Sequence, residues 1–381
     1  MLSATRDVWN YIPAEILVYI FSFLPVRGRL AASHVCKHWD AVVCTGPVWT
    51  FTEINFNSED EEDERYNRLL RLQLFLGHIR RLKVVLDLSL ELNRKCVINF
   101  LDMMAWKSRK LQALIIVCFG KSPFFYSGQD LLRSVWGLCQ GTDKMDLQYI
   151  DLRKMPFTLD NKIIAMIACS SPNLRTLFIN SRAPGVIILR QEPVVEVLRA
   201  CPKLSTLGIS YTSLSKDVFQ ELGNPNRGPF KCLELFYEGL DTDIPEELWI
   251  KLRERHPQLR VELEFAPTVT TRKMLEILKP SVPIFVLQFN TFTHAPDLVR
   301  LITKSYSRTL EKLVLYTAPS ALLNSLLVEI AKACTRLKEI HCNCVVSPDV
   351  ISAFLRHCPG LRRYTLSPLV LFRDAPMTVV R

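Results

Sequence analysis

Glycine is scarce in this chain of 381 residues, and none of its 13 glycines lies in a loop of the kind that cradles phosphate. Neither a P-loop nor a GxGxxG fingerprint is present, and these are the glycine patterns that bind nucleotides through backbone amides. The GxSxG motif of serine hydrolases and the HExxH motif of zinc peptidases are missing too. No cysteine and histidine can be identified as a catalytic pair from their spacing. We therefore expect a non-catalytic protein that holds no cofactor.

Long hydrophobic runs are also missing. The longest apolar stretch, residues 16–26, is too short and too interrupted to cross a bilayer, which takes about 20 apolar residues. No basic region precedes it, and Asp7 and Glu15 flank it, so the N-terminus does not look like a secretory signal peptide. We expect no membrane association.

The chain has 12 cysteines, but they do not cluster as they do in disulfide-rich secreted proteins. We expect free, mostly buried thiols. Free thiols persist in a reducing compartment, so the expected location of the protein is intracellular, in the cytoplasm, the nucleus or both.

The most strongly patterned stretch is residues 9–50. Its apolar residues recur at helical spacing in two segments that Pro25 and Gly28 separate, and the second is predicted as one helix over residues 29–43. Pro13 and Glu15 suit the first turn of the first helix. Two such short helices cannot bury all of this apolar surface against each other. The surplus must pack on the rest of the chain or on another protein.

This stretch resembles the F-box. The family pattern Leu-Pro-x-Glu-Ile/Leu-Leu appears at residues 12–17, its Leu-Pro break at residues 24–25, and its Val-Cys-Lys/Arg-x-Trp at residues 35–39. Departures are mild: Ile12 replaces a leucine, and Gly28 lies where a polar residue is commoner. The resemblance implies docking onto the Skp-family adaptor of a cullin-RING ubiquitin ligase. The residues that would form or support the adaptor surface are Pro13, Ile16, Leu17, Ile20, Phe21, Leu24, Leu30, Val35, Cys36 and Trp39. The alternative is that they are the core of a helical cap.

From residue 66 onward the chain repeats an amphipathic helix, a short break and a strand of Leu-x-x-Leu-x-Leu type. Successive copies begin 24 to 36 residues apart, a period typical of leucine-rich repeats. The sequence predicts an α/β fold: an N-terminal helical F-box, then a curved leucine-rich-repeat solenoid of about eleven units over residues 66–366, with parallel inner strands and outer helices. Its predicted strand starts are residues 79, 111, 147, 174, 204, 230, 259, 284, 310, 337 and 361.

Two segments fall outside these domains. Residues 57–65 contain an acidic block that should be a solvated loop, with an acidic docking site for a basic partner as the alternative. Residues 367–381 contain two prolines and should form an extended C-terminal tail that covers the edge of the last repeat.

Proline and cysteine recur just before the strands. Proline lies two residues before the strand start in several repeats, which predicts the end of each helix there. Cysteine lies three residues before it at Cys201, Cys334 and Cys358. We expect these thiols to be buried and structural rather than reactive.

Strand alternation assigns residues to the inner face of the repeats. Inner positions are mostly neutral or acidic, whereas basic residues such as Arg80-Arg81 and Arg362-Arg363 gather elsewhere. A nucleic acid would need a continuous cationic track, so the net charge of +10 does not lead us to expect one. Aromatic side chains on this face are typical protein-contact anchors, unless they pack on neighbouring strands. The candidate substrate-binding residues are Phe178, Asn180, Phe236, Asn290, Tyr316, His341 and Asn343.

The sequence His341-Cys342-Asn343-Cys344 contains zinc-ligand types. In a strand, alternation would send Cys342 and Cys344 into the core and His341 onto the inner face. The candidate ligands would then be separated, so we expect no metal site.

As a whole, the chain resembles the F-box and leucine-rich-repeat proteins, and residues 151–160 and 341–347 are similar to the member-eight subgroup. The resemblance implies a non-catalytic substrate receptor, monomeric within a Skp–cullin–F-box ligase, that captures an unidentified protein for ubiquitylation and proteasomal degradation. A ligase-independent repeat scaffold is the alternative. A nucleic-acid binder is a third hypothesis.

Overall fold

The chain folds as two compact units, residues 1–204 and residues 205–381. The computed structural model describes residues 11–56, 69–108, 110–120, 126–140, 146–157, 159, 161–180, 191–239, 244–292 and 295–368. Residues 57–65, predicted as an acidic loop, and most of the predicted C-terminal tail lie outside these ranges. No helix of the described ranges is long and apolar enough to span a membrane.

Four helices open the first unit: α1 (Ala14–Ser22), α2 (Val26–Ala32), α3 (Lys37–Val43) and α4 (Gly46–Trp49). Pro13 and Pro25 precede α1 and α2 in extended conformation, where the missing N–H of proline costs no helical hydrogen bond. The helix predicted over residues 29–43 is two helices. Cys36 is extended there (φ −161°, ψ 165°), and its sulfur accepts a hydrogen bond from the Trp39 amide at the start of α3.

The core of these helices joins them to the first repeats. Phe21 packs edge-to-face on Trp39, with ring centres 5.1 Å apart. Trp49 is fully buried, donates its indole N–H to the Val43 carbonyl at 2.7 Å, and stacks on Phe75 at 4.3 Å. The helical segment therefore has no separate core, since its last tryptophan packs into the repeat that follows.

The rest of the first unit alternates parallel strands with helices. Each strand pairs with its successor along the chain, in the order β1-β2-β3-β4-β5. The elements are β1 (Phe51–Phe56), β2 (Arg81–Asp87), α5 (Glu91–Lys107), β3 (Ala113–Phe119), α6 (Gln129–Cys139), β4 (Tyr149–Lys154), α7 (Asn161–Ser170), β5 (Thr176–Phe178) and α8 (Gln191–Ala200).

The second unit has the same pattern, with parallel pairing of consecutive strands from β6 to β12. Its elements are β6 (Thr206–Ser210), α9 (Lys216–Leu222), β7 (Cys232–Tyr237), α10 (Glu246–Arg255), β8 (Arg260–Phe265), α11 (Thr271–Ile277), β9 (Ile284–Phe292), α12 (Ala295–Ser305), β10 (Lys312–Tyr316), α13 (Ala321–Ala333), β11 (Glu339–Val346), α14 (Pro348–His357) and β12 (Arg363–Pro368).

The predicted α/β fold class is confirmed. Each predicted strand start lies no more than two residues before the first residue of one of the strands β2 to β12. The reason is visible at β10, where Leu313 and Leu315 of the strand and Leu310, two residues before it, are all buried. β1 precedes the first predicted unit, and β12 extends into the first residues of the predicted tail.

The predicted burial of the corner cysteines is confirmed for all three, and two of them contact the preceding repeat. The buried Cys201 thiol lies 3.4 Å from both the Ala168 and Ser171 carbonyls at the end of α7. Cys358 contacts the Ala331 and Cys334 carbonyls at 3.5 Å in the same way. Burial raises the pKa of Cys334 to about 12 and that of Cys358 to about 11, so both stay protonated.

Candidate functional site: the exposed face of the first helix and the inner strand face

Helix α1 carries apolar side chains on two faces. Leu17 and Phe21 face inward and are buried. Ile16, Tyr19, Ile20 and Phe23 are 51%, 66%, 43% and 71% exposed, and their spacing of i, i+3, i+4 and i+7 places them on one helical face. The Tyr19 and Phe23 rings contact each other edge-to-face at 4.9 Å. An exposed apolar stripe on one helix is typical of a protein-interaction surface.

The structure places the predicted adaptor residues at three depths. Pro13, Ile16, Ile20 and Val35 are exposed, and Leu24, Leu30, Cys36 and Trp39 are partly exposed. Leu17 and Phe21 lie beneath this surface, so they could support an adaptor contact but could not make one directly. The adaptor assignment itself stays a prediction.

Sequence reasoning missed Tyr11, Tyr19 and Phe23, which are among the most exposed large apolar side chains of the described residues. For Tyr19 and Phe23 the signal was present, because they lie three and seven positions after Ile16. We name the face formed by Ile16, Tyr19, Ile20 and Phe23 the α1 face.

Arg29 holds the end of α1 against the first strand. Its guanidinium is buried and donates to the carbonyls of Phe21 (3.1 Å), Ser22 (2.8 Å) and Leu24 (2.8 Å), where α1 ends. It also donates to the Phe51 carbonyl (3.0 Å) and the Thr52 hydroxyl (3.4 Å) of β1. Burial lowers the pKa of Arg29 to about 10, so the side chain stays charged at neutral pH. The α1 face therefore has a fixed position relative to the first repeat, through a residue that sequence reasoning did not single out.

The substrate candidates of the first unit are mostly covered. Phe178 is buried, with the Arg153 guanidinium 4.0 Å above its ring and the Tyr149 ring beside it. Asn180 is buried as well. The packing alternative therefore holds for Phe178, which has little ring surface left for direct contact.

The candidates of the second unit differ among themselves. Phe236 is buried, and Asn290 is half-buried with its amide donating to Glu264 at 2.8 Å. Tyr316 is partly exposed and Asn343 is exposed. His341 is partly exposed, and its ring lies 3.0 Å from the Thr365 hydroxyl. Tyr316, His341 and Asn343 are therefore exposed enough to contact a partner directly, whereas Phe236 has little surface left for such a contact.

The inner strands of the second unit are acidic where β7 and β8 meet. Glu234 and Glu262 lie directly opposite each other in register, and Glu264 follows on the same face of β8. The Glu264 carboxylate also accepts hydrogen bonds from Gln288 and Asn290. This surface does not provide the cationic track that a nucleic acid would need.

The possible zinc ligands lie largely as alternation predicts, with the two cysteines together and His341 turned to another residue; only Cys344 is less buried than expected. Cys342 is buried, and its sulfur lies 3.3 Å from that of the half-buried Cys344, beside a register shift in β11. His341 instead contacts Thr365. Within the described ranges, no group of three or more His, Cys, Asp or Glu side chains is arranged to hold a metal ion.

Comparison with known proteins agrees with this architecture. The F-box-like family matches residues 9–52. F-box/LRR-repeat protein 8 of Homo sapiens is 36% identical over 362 residues, which cover 93% of this chain and 94% of that protein. Its Mus musculus counterpart is also 36% identical, over 94% of this chain and 96% of that protein. The crystal structure of the yeast Rad7 and Elc1 complex aligns with a TM-score of 0.50 and 15% identity, over 96% of this chain and 84% of that chain, and supports the fold alone.

The chain belongs to the F-box and leucine-rich-repeat protein family. Its similarity to F-box/LRR-repeat protein 8 extends over nearly the whole length and includes the Bos taurus protein at 35% identity. The predicted resemblance to the member-eight subgroup is thereby confirmed. The architecture is that of an F-box adaptor-type substrate receptor, and proteins of this type are generally non-catalytic.

Proposed function

We propose that this chain is the substrate-recognition subunit of a Skp–cullin–F-box ubiquitin ligase. Helices α1 to α4 dock the Skp-family adaptor, and through it a cullin-RING ligase. The repeats hold a protein target, which the other subunits ubiquitylate for proteasomal degradation. The chain contributes no catalytic group: it raises the effective concentration of the target near the transfer machinery. It acts as a monomer within the complex.

The observation that carries this proposal is the α1 face. Its four large apolar side chains are exposed although Leu17 and Phe21 already supply the inward face of the same helix. Such a stripe fits a hydrophobic groove on a partner, and burying each side chain would contribute about 1.5–3 kcal/mol before the costs of association. Because Arg29 fixes α1 against β1, the docked adaptor would hold a constant orientation to the first repeats.

The ligase-independent scaffold makes a different prediction for this surface. It requires the helices to pack internally, whereas no residue of the described ranges covers Ile16, Tyr19, Ile20 or Phe23 fully. The α1 face therefore favours an external partner. The proposal also includes an intracellular location, nuclear or cytoplasmic, because the 12 cysteines are free thiols.

The test is co-elution of the purified chain with a purified Skp-family adaptor on size-exclusion chromatography. We expect a one-to-one complex with the wild-type chain. We expect no complex with the double variant Ile16→Asp and Ile20→Asp, because charges on the α1 face cannot enter an apolar groove. Both positions are largely exposed, so the melting temperature should change little.

The matched control is Leu322→Asp, a substitution at a leucine of α13 that is 51% exposed, as is Ile16. This variant should bind the adaptor like the wild-type chain. Co-elution of the Ile16→Asp/Ile20→Asp variant would contradict the proposal and support the scaffold instead.

A further inference from the structure

A cavity of about 650 Å³ lies where the connection from α1 to α2 meets the first strand. Its volume is within the range of about 300–1,000 Å³ that is usual for ligand pockets. The residues that the helical segment contributes to the cavity wall are largely apolar, and those that the strands contribute include charged side chains. The main lining residues are Phe23, Leu24, Pro25, Phe51, Glu53 and Arg81. We name it the β1 pocket.

Strand β1 presents an open edge to this pocket. It pairs with β2 on one side only among the described strands. The Thr50 carbonyl accepts hydrogen bonds from the β2 side, from the amides of Arg80 and Arg81, whereas the Phe51 carbonyl points the other way, to Arg29. Alternation along the strand therefore directs the backbone N–H and C=O groups of Glu53 and Asn55 to the open side. Unpaired groups on an edge strand are a template for a further strand.

The available charge in the β1 pocket is positive. The Glu53 carboxylate is paired with Lys83 at 3.0 Å, and the Arg29 guanidinium is already bonded to five oxygens. Arg81 is exposed, and its guanidinium carbon lies 5.8 Å from the centre of the Phe51 ring. Its guanidinium has no hydrogen-bonding or ion-pair partner among the described residues. A carboxylate on a ligand would supply one.

We propose that the β1 pocket binds an extended acidic segment of the protein target. The segment adds a strand to the open edge of β1 at Glu53 and Asn55 and places an apolar side chain between Phe23 and Phe51. A carboxylate two residues along, on the same face of the added strand, pairs with Arg81, which shares a face with its register partner Phe51. This inference rests on the proposed function, because it assigns part of the target site. Phe23 belongs to both the α1 face and the pocket, so the segment would bind beside the adaptor.

The probe is a fluorophore-labelled peptide, acetyl-Val-Phe-Val-Glu-Val-amide, whose Phe and Glu lie on one face of an extended strand. It is titrated with the full chain and followed by fluorescence anisotropy. We expect saturable binding to the wild-type chain and about tenfold weaker binding to Arg81→Gln, which loses a charge-assisted hydrogen bond. Arg80→Gln is the matched control, since Arg80 is exposed and adjacent but does not line the pocket, and it should bind normally. A second peptide has Lys in place of Glu. Its affinity for the wild-type chain should be no higher than the affinity of Arg81→Gln for the original peptide. Absence of saturable binding, or equal binding by Arg81→Gln, would overturn the proposal.

Strand addition is tested separately with Asn55→Pro. Proline has no N–H but is tolerated on an edge strand where that N–H faces outward. We expect an unchanged melting temperature and weaker peptide binding. Peptide binding at wild-type strength would overturn strand addition, and a lowered melting temperature would show that the Asn55 N–H is not on the open side.

The same titration is repeated with the Skp-family adaptor at saturation. We expect the peptide to remain bound. Displacement of the peptide would show that the adaptor occupies the β1 pocket, and the assignment to the target would be overturned. Since the first titration contains no adaptor, its failure leaves the co-elution test of the proposed function unaffected, and failed co-elution leaves the peptide result unaffected.

Discussion

Arg29 shows how much one buried side chain can organise. A guanidinium deep in a protein is stabilising only when its N–H groups meet oxygens, and here the oxygens come from both the end of α1 and the start of β1. The ring of Trp49, 5.3 Å from the guanidinium carbon, adds a cation–π contact. No motif in the sequence indicates this role, because arginine on an amphipathic helix normally faces solvent.

Replacing Arg29 by methionine keeps the volume but removes every one of these hydrogen bonds. We expect Arg29→Met to lower the free energy of unfolding by about 1–3 kcal/mol, since several carbonyls lose their donor. Urea denaturation followed by tryptophan fluorescence measures the change. Arg27→Met, at an exposed arginine of the same helix, should have little effect, and an equal loss in both variants would contradict the role of Arg29.

His256 is a second buried polar residue, in the second unit. One ring nitrogen lies 2.9 Å from the Leu222 carbonyl, to which it donates, and the other accepts the Phe230 amide at 3.2 Å, so the ring is neutral. Burial lowers the pKa of His256 below its ordinary value. The stability that this neutral ring contributes is therefore complete above the unfolded pKa of about 6.5 and is lost as pH falls through the folded pKa.

We expect the melting temperature of the wild-type chain to fall from pH 7 to pH 5 partly because of this residue. His256→Gln should be less stable at pH 7 but should lose less stability on acidification. Scanning calorimetry across this pH range checks the slope, with the exposed His78→Gln as control. Parallel pH slopes for His256→Gln and wild type would contradict the assignment.

At the scale of the element, helix α1 has two roles: one face packs into the core and the other is exposed for binding. Leu17 is buried and Ile20, only three residues later, is 43% exposed. We expect Leu17→Ala to lower the free energy of unfolding by about 2–5 kcal/mol, as buried leucines do. Ile20→Ala should cost much less stability but should weaken adaptor binding more. Denaturant unfolding and an adaptor titration on both variants separate the two effects, and the reverse ranking would be inconsistent with the α1 face.

The sequence predicted the elements well because leucine spacing reports directly on burial. The strand starts follow from residues such as Leu310 and Leu337, whose side chains must enter the core in any register. The face of α1 that turns to solvent could not be predicted in the same way, since both faces are apolar. The extended backbone at Cys36 also escaped prediction, because a cysteine whose sulfur caps a helix has no sequence signature.

The inner strand face shows the same limit. Alternation correctly placed Phe178 and Phe236 on the strands, but it could not show that neighbouring side chains cover them. Whether a neighbour covers such a side chain depends on which residue lies opposite it in the adjacent strand, and therefore on the strand register between repeats. The β1 pocket was missed for a similar reason, since it joins Phe23 of one segment to Arg81 of another.

At the scale of the whole molecule, the corner thiols test how the repeats are held together. Cys169 is exposed, whereas Cys201, Cys334 and Cys358 are buried, and the thiols of Cys201 and Cys358 contact carbonyls of the preceding repeat. We expect maleimide to label Cys169 in the folded chain and the corner thiols only after denaturation. Peptide mapping by mass spectrometry measures this, and labelling of all four at one rate would contradict a structural role.

The exposed apolar face of α1 also has a consequence for the amount of this protein in the cell. If the proposed adaptor covers the α1 face, a chain made in excess of that adaptor would leave four large apolar side chains in water, and such surfaces attract chaperones and self-association. Unassembled copies would then be removed faster than assembled ones. The steady-state amount of this receptor would follow the amount of free adaptor more closely than it follows its own rate of synthesis.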